Sequence, residues 1–432
     1  MMQLKPCRRF WWSWGMSEIN YAPLNNFAEV LMGQSPGADL CNTEGQGLPF
    51  LQGCAEFGAC YPHTEIYCSP PLRVAKADSV LISVRAPVGT MNYADQNYCI
   101  GRGLGAFKAK EGVSNTVFLK HAVELNSGYL HRRSQGSTFA AVSTDDVRTI
   151  PVPVFELKKQ QKIAAILTVI DTTIEKTEAL IAKYQQIRIG LMHDLFTRGV
   201  LPDGELRPMY SQAPELYMET ESGWIPREWQ YELLDNLASR GSGHTPNKDH
   251  SEYWNGGVKW VSLADSYRLD QLYISDTDLK ISYRGIQNSS AVLHPAGIVI
   301  LSRDAGVGKS AITTEPMAVS QHFMCWKCDK KMNNYFLYYW LQYNKRTFEN
   351  IAMGSTILTI GLPYFKRLKI ACPINMDEQL AIASKLRAVD SRLFALQADL
   401  KKKRHQKIGL MQDLLTGKVP VKVEEPNTEV TA

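Results

Sequence analysis

The amino-acid sequence predicts an α+β protein built as an internal repeat: two mixed α/β domains separated by two long antiparallel coiled-coil helices, the halves related by a pseudo-twofold axis. Three observations predict it. The chain is written twice at a separation of about 219 residues. Each copy runs from a Gly- and aromatic-rich segment with short β-type runs into one long apolar heptad pattern. A stretch from about Leu201 to Ser222, with Pro202, Gly204, Pro208 and Pro214 and no periodicity, divides the copies.

The repeat is anchored at several points. Ile189–Val200 (IGLMHDLFTRGV) returns as Ile408–Val419 (IGLMQDLLTGKV). Leu81–Gly89 (LISVRAPVG) aligns with Ile300–Gly308 (ILSRDAGVG), sharing Ser83/Ser302, Ala86/Ala305, Val88/Val307 and Gly89/Gly308. Upstream, Gly33, Ser35 and Pro36 correspond to Gly243, Thr245 and Pro246, and GLPFLQ from Gly47 corresponds to GVKWVS from Gly257. GST triplets stand at Gly136–Thr138 and Gly354–Thr356. Between these anchors the halves differ almost everywhere, so similar frames carry different contents.

In chain order, residues 1–16 read as an extension: Arg8 and Arg9 precede Phe10, Trp11, Trp12 and Trp14, too short an apolar stretch for a signal peptide and with no small-residue cleavage site, and Met16 is an alternative start. A first mixed domain follows at 17–154 and a helix at 155–198. The helix is predicted by apolar residues alternating at spacings of four and three: Ile163, Leu167, Ile170, Ile174, Ile181, Leu191 and Leu195, with Thr177, Tyr184 and Arg188 filling the same stripe. An irregular linker (199–222) leads to a second mixed domain at 223–373. The second helix, 374–418, repeats the seam at Ile382, Leu386, Val389, Leu393, Leu396, Leu400, Leu410 and Leu414, with the same lapse into polarity, at Lys403 and Lys407. A tail occupies 419–432. Because the second helix returns to pair with the first, the pairing is expected to be antiparallel, with the mixed domains at opposite ends.

Composition excludes several classes. Hydrophobic residues make up 44% and charged residues 21% of 432, with no run approaching the ~18 apolar residues of a membrane span, so neither a disordered nor a membrane protein is expected. Forty-eight Lys+Arg against 43 Asp+Glu give +5, which permits a polyanionic partner. Nine scattered cysteines point to a reducing cytoplasm rather than a disulfide framework.

Motifs for catalysis fail on inspection. Ala305–Ser310 (AGVGKS) resembles the end of a phosphate loop, but the position of the leading glycine is Arg303 and the matching segment of the other half has no Lys, so a β-turn is expected. Ser69–Leu72 (SPPL) with Gly101–Gly105 (GRGLG) superficially suggests an amino-methyltransferase; Leu72 is no stacking aromatic, and the ~30 residues between the motifs leave no room for the intervening α/β units. Cys54, Cys60, His63 and Cys68, and the pair Cys325/Cys328, lack the paired short spacings of a zinc site and read as small buried hydrophobes. No catalytic or metal-ligating set is assigned.

With the repeat, the seam and the empty chemistry together, the sequence resembles the specificity subunit of a type I restriction–modification system, from about residue 17 to 419. The likeness is carried by SVRAPVG with Ile100–Phe107 (IGRGLGAF), GSTF at Gly136, PVP followed by Gln160–Leu167 (QQKIAAIL), GLMHDL with GLMQDL, and Gly223–Trp229 (GWIPREW), which looks like the entry to a second recognition domain. It implies two target-recognition domains, each reading half of a bipartite, asymmetric site in double-stranded DNA, and two helices that dock two methyltransferase subunits. It also implies that those partners use S-adenosylmethionine, that motor-nuclease subunits add ATP and Mg²⁺, and that the chain itself holds no cofactor and performs no catalysis.

The physical requirements agree. Phosphate contacts from Lys and Arg supply affinity, while side chains at base edges supply sequence reading. Candidate DNA contacts in turn-rich segments are Arg85, Arg102, Lys259, Arg284, Arg303 and Lys309, each weighed against a solvated surface charge. The run Lys401–Arg404 reads equally as a phosphate contact or a solvated helix face. Two other classes stay open at this point: a scaffold whose helices bridge two protein-binding domains, and a self-sufficient methyltransferase.

Overall fold

The structure is a computed structural model that describes residues 19–134, 141–352 and 358–422. The extension at 1–16, both GST triplets and the tail beyond 422 lie outside the described residues. Two helices dominate the chain, Leu157–Arg198 and Met376–Leu415. Contacts divide it into two compact units, Met1–Leu180 with Leu396–Ala432, and Ile181–Ala395. This differs from a division at the linker: each unit takes one mixed domain and part of both long helices. The physical reason lies in the first unit, where Met411, Leu414 and Leu415 of the second helix are buried in the same core as Ile163 and Leu167 of the first.

Within the first unit, strands Ala28–Met32, Leu104–Ala109, Val80–Ser83 and Met91–Tyr93 form an antiparallel sheet in that order. Val80–Ser83 is buried along its whole length, as a VLIS run in a central strand must be. A second sheet pairs Leu48–Leu51 in parallel with Tyr98–Ile100, and Tyr21–Pro23 pairs with Pro151–Pro153. Three helices, Thr116–Leu125, Ser127–Ser134 and Thr144–Arg148, precede the long one.

The second unit repeats this plan. Ala238–Ser242, Phe323–Cys328, Val299–Ser302 and Ser310–Thr313 take the same order, Trp254–Val261 runs parallel to Ala318–Val319, and Trp229–Leu233 pairs with Lys369–Pro373. Asn334–Tyr343, Lys345–Ile351 and Leu362–Lys366 are the matching helices. The local chemistry repeats too: Asn115 and Asn333 cap their helices through side-chain oxygens that accept from Phe118 N and Phe336 N.

A buried glutamine ties each domain to its long helix. Gln160 Oε1 accepts from Ser114 Oγ (2.7 Å) and Asn115 N (3.1 Å), and its Nε2 donates to Phe155 O. Gln379 Oε1 accepts from Asn333 N (2.8 Å), and its Nε2 donates to Lys331 O and Pro373 O. Both are wholly buried. Gln379→Leu strands these groups and is expected to cost about 2 kcal/mol by urea denaturation of the second unit. A loss under about 0.5 kcal/mol would show that the stranded groups find other partners.

The seam is buried where apolar and bonded where polar. Ile163, Leu167, Ile174, Ile181, Leu195, Ile382, Leu386, Leu393, Leu396 and Leu414 are buried, while Ile170, Leu191, Val389, Leu400 and Leu410 are half-buried. In the first unit Lys403 Nζ donates to Thr177 Oγ1 (2.9 Å), and Lys407 pairs with Asp171 (3.0 Å). In the second, Arg188 Nε donates to Asp390 Oδ1 (2.6 Å). Within each unit, rising numbers on one helix meet falling numbers on the other, which makes the pairing antiparallel.

The linker departs from the expectation of an irregular connection. Tyr217–Thr220 and Gly223–Pro226 form a hairpin, and the Arg207 side chain is buried against Glu378. Among the described residues no helix is long and apolar enough to cross a membrane.

Candidate nucleic-acid interface

The turns joining the central strands are superimposable in bonding but not in content. Residues 84–90 return the chain between Val80–Ser83 and Met91–Tyr93. Ser83 Oγ donates to Arg85 O (2.7 Å), Gly89 N to Ser83 O (2.9 Å) and Val84 N to Gly103 O (3.0 Å). In the second domain Ser302 Oγ donates to Asp304 O (2.7 Å), Gly308 N to Ser302 O (3.0 Å) and Arg303 N to His322 O (2.9 Å). Gly89 and Gly308 sit at φ of +86° and +85°, backbone that disfavours any Cβ, which explains why both turns carry glycine there. The frame is the same, yet Arg85 is exposed where Asp304 is buried and hydrogen-bonded to His322 (2.7 Å) and Thr359 (2.6 Å).

The six cationic candidates separate into two sets. Arg85, Arg102 and Arg284 are exposed and form no ion pair with the described residues. Arg85 and Arg102 belong to adjoining turns of the first domain, and Arg284 lies on the short helix Tyr283–Gln287 of the second. The other three are engaged within the second domain. Lys259 Nζ pairs with Glu315 (2.8 Å) and donates to Ser275 O, Arg303 Nε donates to Ile360 O (2.9 Å), and Lys309 Nζ donates to Ser266 O and Oγ (3.1 Å each). All three are half-buried, and these bonds tie them to neighbouring loops of the same domain. Of Lys401–Arg404, Lys401 and Lys402 are exposed, while Arg404 pairs with Glu178 (2.7 Å).

A groove of about 570 Å³ in the second domain, which sequence reasoning missed, is walled by Trp254 and Trp260, whose rings meet edge to face at 5.2 Å. Lys248, Thr245, Gln321 and His322 line it. The Trp260 indole donates to His244 O (3.1 Å), which fixes that wall. The GVKWVS anchor supplies Trp260 and the GHTP anchor supplies Thr245, so the repeat itself marked the groove's edges.

The remaining motifs have structural roles. Residues 303–309 form the turn of the hairpin Val299–Ser302/Ser310–Thr313, with Lys309 directed at Ser266. Burial pushes the thiols of Cys325 and Cys328 up to about 12, so both stay protonated near neutrality. Among the described residues no three His, Cys, Asp or Glu groups gather as metal ligands.

Comparison with known proteins joins these observations. The family model described as type I restriction modification DNA specificity domain matches residues 23–185 and again 226–404. A chain assigned as the MjaX type I restriction enzyme specificity subunit of Methanocaldococcus jannaschii is 39% identical over 149 residues, 34% of this chain and 35% of that one; the match spans about a third of that relative. The MjaVIII specificity subunit of the same organism is 25% identical over 326 residues, covering 72% of each chain. Among solved structures, the S subunit of a type I restriction-modification system from M. genitalium covers 95% of this chain and 98% of its own, with a TM-score of 0.60 at 14% identity, a likeness of fold. Matched twice by one domain family, along a chain whose strands, caps and turns repeat in the same order, the protein belongs to the type I restriction modification DNA specificity domain family.

Proposed function

We propose that this chain is the DNA-reading subunit of a type I restriction–modification complex, its two domains reading unlike halves of a bipartite site. The observation that carries this reading is the pairing of identical turn frames with different side chains: exposed Arg85 stands where the second domain has buried Asp304, and exposed Arg102 where it has exposed Gln321. A frame fixes where a side chain stands and its identity fixes what it reads, so a duplicated frame with divergent contents suits two different half-sites. Arg85, Arg102 and Arg284 are the contacts we favour.

The long helices would dock methyltransferase subunits. Val169 and Ile189 on the first helix are 69% and 61% exposed, and Phe394 on the second is 75% exposed, apolar surface that a partner would cover. S-adenosylmethionine would then belong to those partners, and ATP and Mg²⁺ to motor-nuclease subunits; the chain alone would neither methylate nor cleave DNA. Tritium transfer from labelled S-adenosylmethionine by the purified chain alone would refute that part.

The experiment that tests the reading is exchange of Trp229–Pro373 for the matching domain of a relative, followed by methylome sequencing of cells that also express the methyltransferase subunit. One half-site should change and the other persist. A change in both, or in neither, counts against separate reading heads. Failure of the parent chain to retard any duplex in the presence of that subunit would favour a protein scaffold instead.

A further inference from the structure

The two domains share a second frame, in the turn that adjoins the one above. In the first domain the chain leaves Tyr98–Ile100 through a tight turn and enters Leu104–Ala109: Gly101 N donates to Leu51 O (2.8 Å), Leu104 N to Gly101 O (3.0 Å), and Gln34 N to Ile100 O (2.9 Å). In the second domain Ser320 N donates to Val261 O (2.9 Å), Phe323 N to Ser320 O (3.1 Å), and His244 N to Val319 O (3.1 Å). Both turns are pressed against a glycine. A Cβ on Gly33 would stand 2.1 Å from Gly101 O, and one on Gly243 1.6 Å from Val319 O, so the GQSP and GHTP loops lie directly on the turn.

These bonds place Arg102 and Gln321 at the same point of the same turn. Each is exposed, and each is held by the hydroxyl that follows the glycine. Ser35 Oγ accepts from Arg102 N (3.1 Å) and Nε (3.3 Å), which leaves both terminal guanidinium nitrogens for a ligand. Thr245 Oγ1 donates to Gln321 Oε1, and the Gln321 amide also borders the tryptophan-walled groove. Ser320, beside it, borders that groove and carries a fully buried Oγ with no hydrogen-bond partner among the described residues. In the first domain the equivalent position is Gly101, and Gln52 fills the space.

From this equivalence we infer that Arg102 and Gln321 are the paired specificity-determining residues of the two domains, Arg102 selecting a guanine in one half-site and Gln321 an adenine in the other. The chemistry is the two-point match of each side chain to a base edge in the major groove: guanidinium N–H groups to guanine O6 and N7, and a carboxamide to adenine N6 and N7. A hydroxyl tether at the same place in both frames pre-orients the reading group, which is what a positional readout requires. The inference rests on the DNA-reading role proposed above and adds which position reads and which base it takes.

The test is selection from a random-sequence duplex library by the full chain in complex with its methyltransferase subunit, for the parent and for Gln321→Arg, Arg102→Gln and Gln321→Ala. The parent should select two half-sites. Gln321→Arg should convert one adenine to guanine in one half-site only, and Arg102→Gln one guanine to adenine in the other, with the remaining positions unchanged. Gln321→Ala should relax that adenine position by about tenfold without a new preference. Both side chains are exposed, so melting curves matching the parent are expected and would separate misreading from misfolding. Unchanged half-sites in well-folded variants, or changes in both halves from one substitution, overturn this inference while leaving the DNA-reading role intact. A parent that selects no sequence overturns both.

Discussion

Replacing Arg207 by Met is expected to destabilise the unit Ile181–Ala395 by about 3 kcal/mol, because it leaves a buried carboxylate without its cation. The Arg207 and Glu378 side chains are 4% and 9% exposed. Glu378 Oε2 accepts from Arg207 Nη2 (3.0 Å), while its Oε1 accepts from Val200 N and the Trp229 indole (3.0 Å each). One carboxylate at the start of the second long helix therefore gathers the residues just after the first, the linker and the strand Trp229–Leu233. The two neutral donors would remain in the variant, which keeps the loss at the lower end of the range for a broken buried pair. Removing Glu378 as well should recover only part of the stability, since Val200 N–H and the indole would then be stranded. Every tryptophan among the described residues lies in Ile181–Ala395, so intrinsic fluorescence during urea denaturation follows this unit. An unchanged midpoint would mean that Glu378 is stabilised by its neutral donors alone.

That cluster shows where sequence reading stops. Pro202, Gly204, Pro208 and Pro214 correctly signal the end of helical periodicity, but the partner of Arg207 stands 171 positions away and leaves no local trace. The seam was legible because a heptad stripe fixes one buried face whatever covers it. Which core takes Met411 and Leu415 was not, since that depends on the fold of residues in the other half of the chain. The internal partners of Lys259, Arg303 and Lys309 were illegible for a similar reason: Glu315, Ile360 O and Ser266 reach them from distant segments. Gln321, the proposed counterpart of Arg102, is neutral and so does not stand out among cationic candidates. The repeat offset that aligned Ser83 with Ser302 also aligns Arg102 with Gln321, so the equivalence of the two positions is legible in the sequence.

The polar lapse in the seam leads to a second large effect, at Lys407. Its Nζ lies 2.8 Å and 3.0 Å from the Glu124 carboxylate oxygens and 3.0 Å from Asp171, and the side chain is 15% exposed. His121, wholly buried, stands 3.4 Å from Glu124 and 3.6 Å from Asp171, so two carboxylates share one ammonium and one imidazole. Burial by itself would raise the Glu124 carboxyl, but His121, Lys407 and Lys120 together hold it down at about 2. A carboxyl depressed in the folded state contributes stability that is complete above its ordinary value near 4.5 and is lost as the pH falls toward 2. The same pairing raises Lys407 despite its burial, so its contribution is complete below its ordinary value of 10.5 and is lost only at higher pH. Lys407→Met should therefore cost about 2 kcal/mol at pH 7, a figure already reduced for solvent at Glu124, which is more than a third exposed. The difference from the parent should shrink as the pH is lowered from 5 toward 2, because protonation removes the carboxylate charge that Lys407 balances. Hydrogen exchange of the amides of Thr116–Leu125 at pH 7 and again near pH 3 measures it in the unit concerned. A deficit of the same size at both values would show that the methylene stem of Lys407, not its charge, fills the seam.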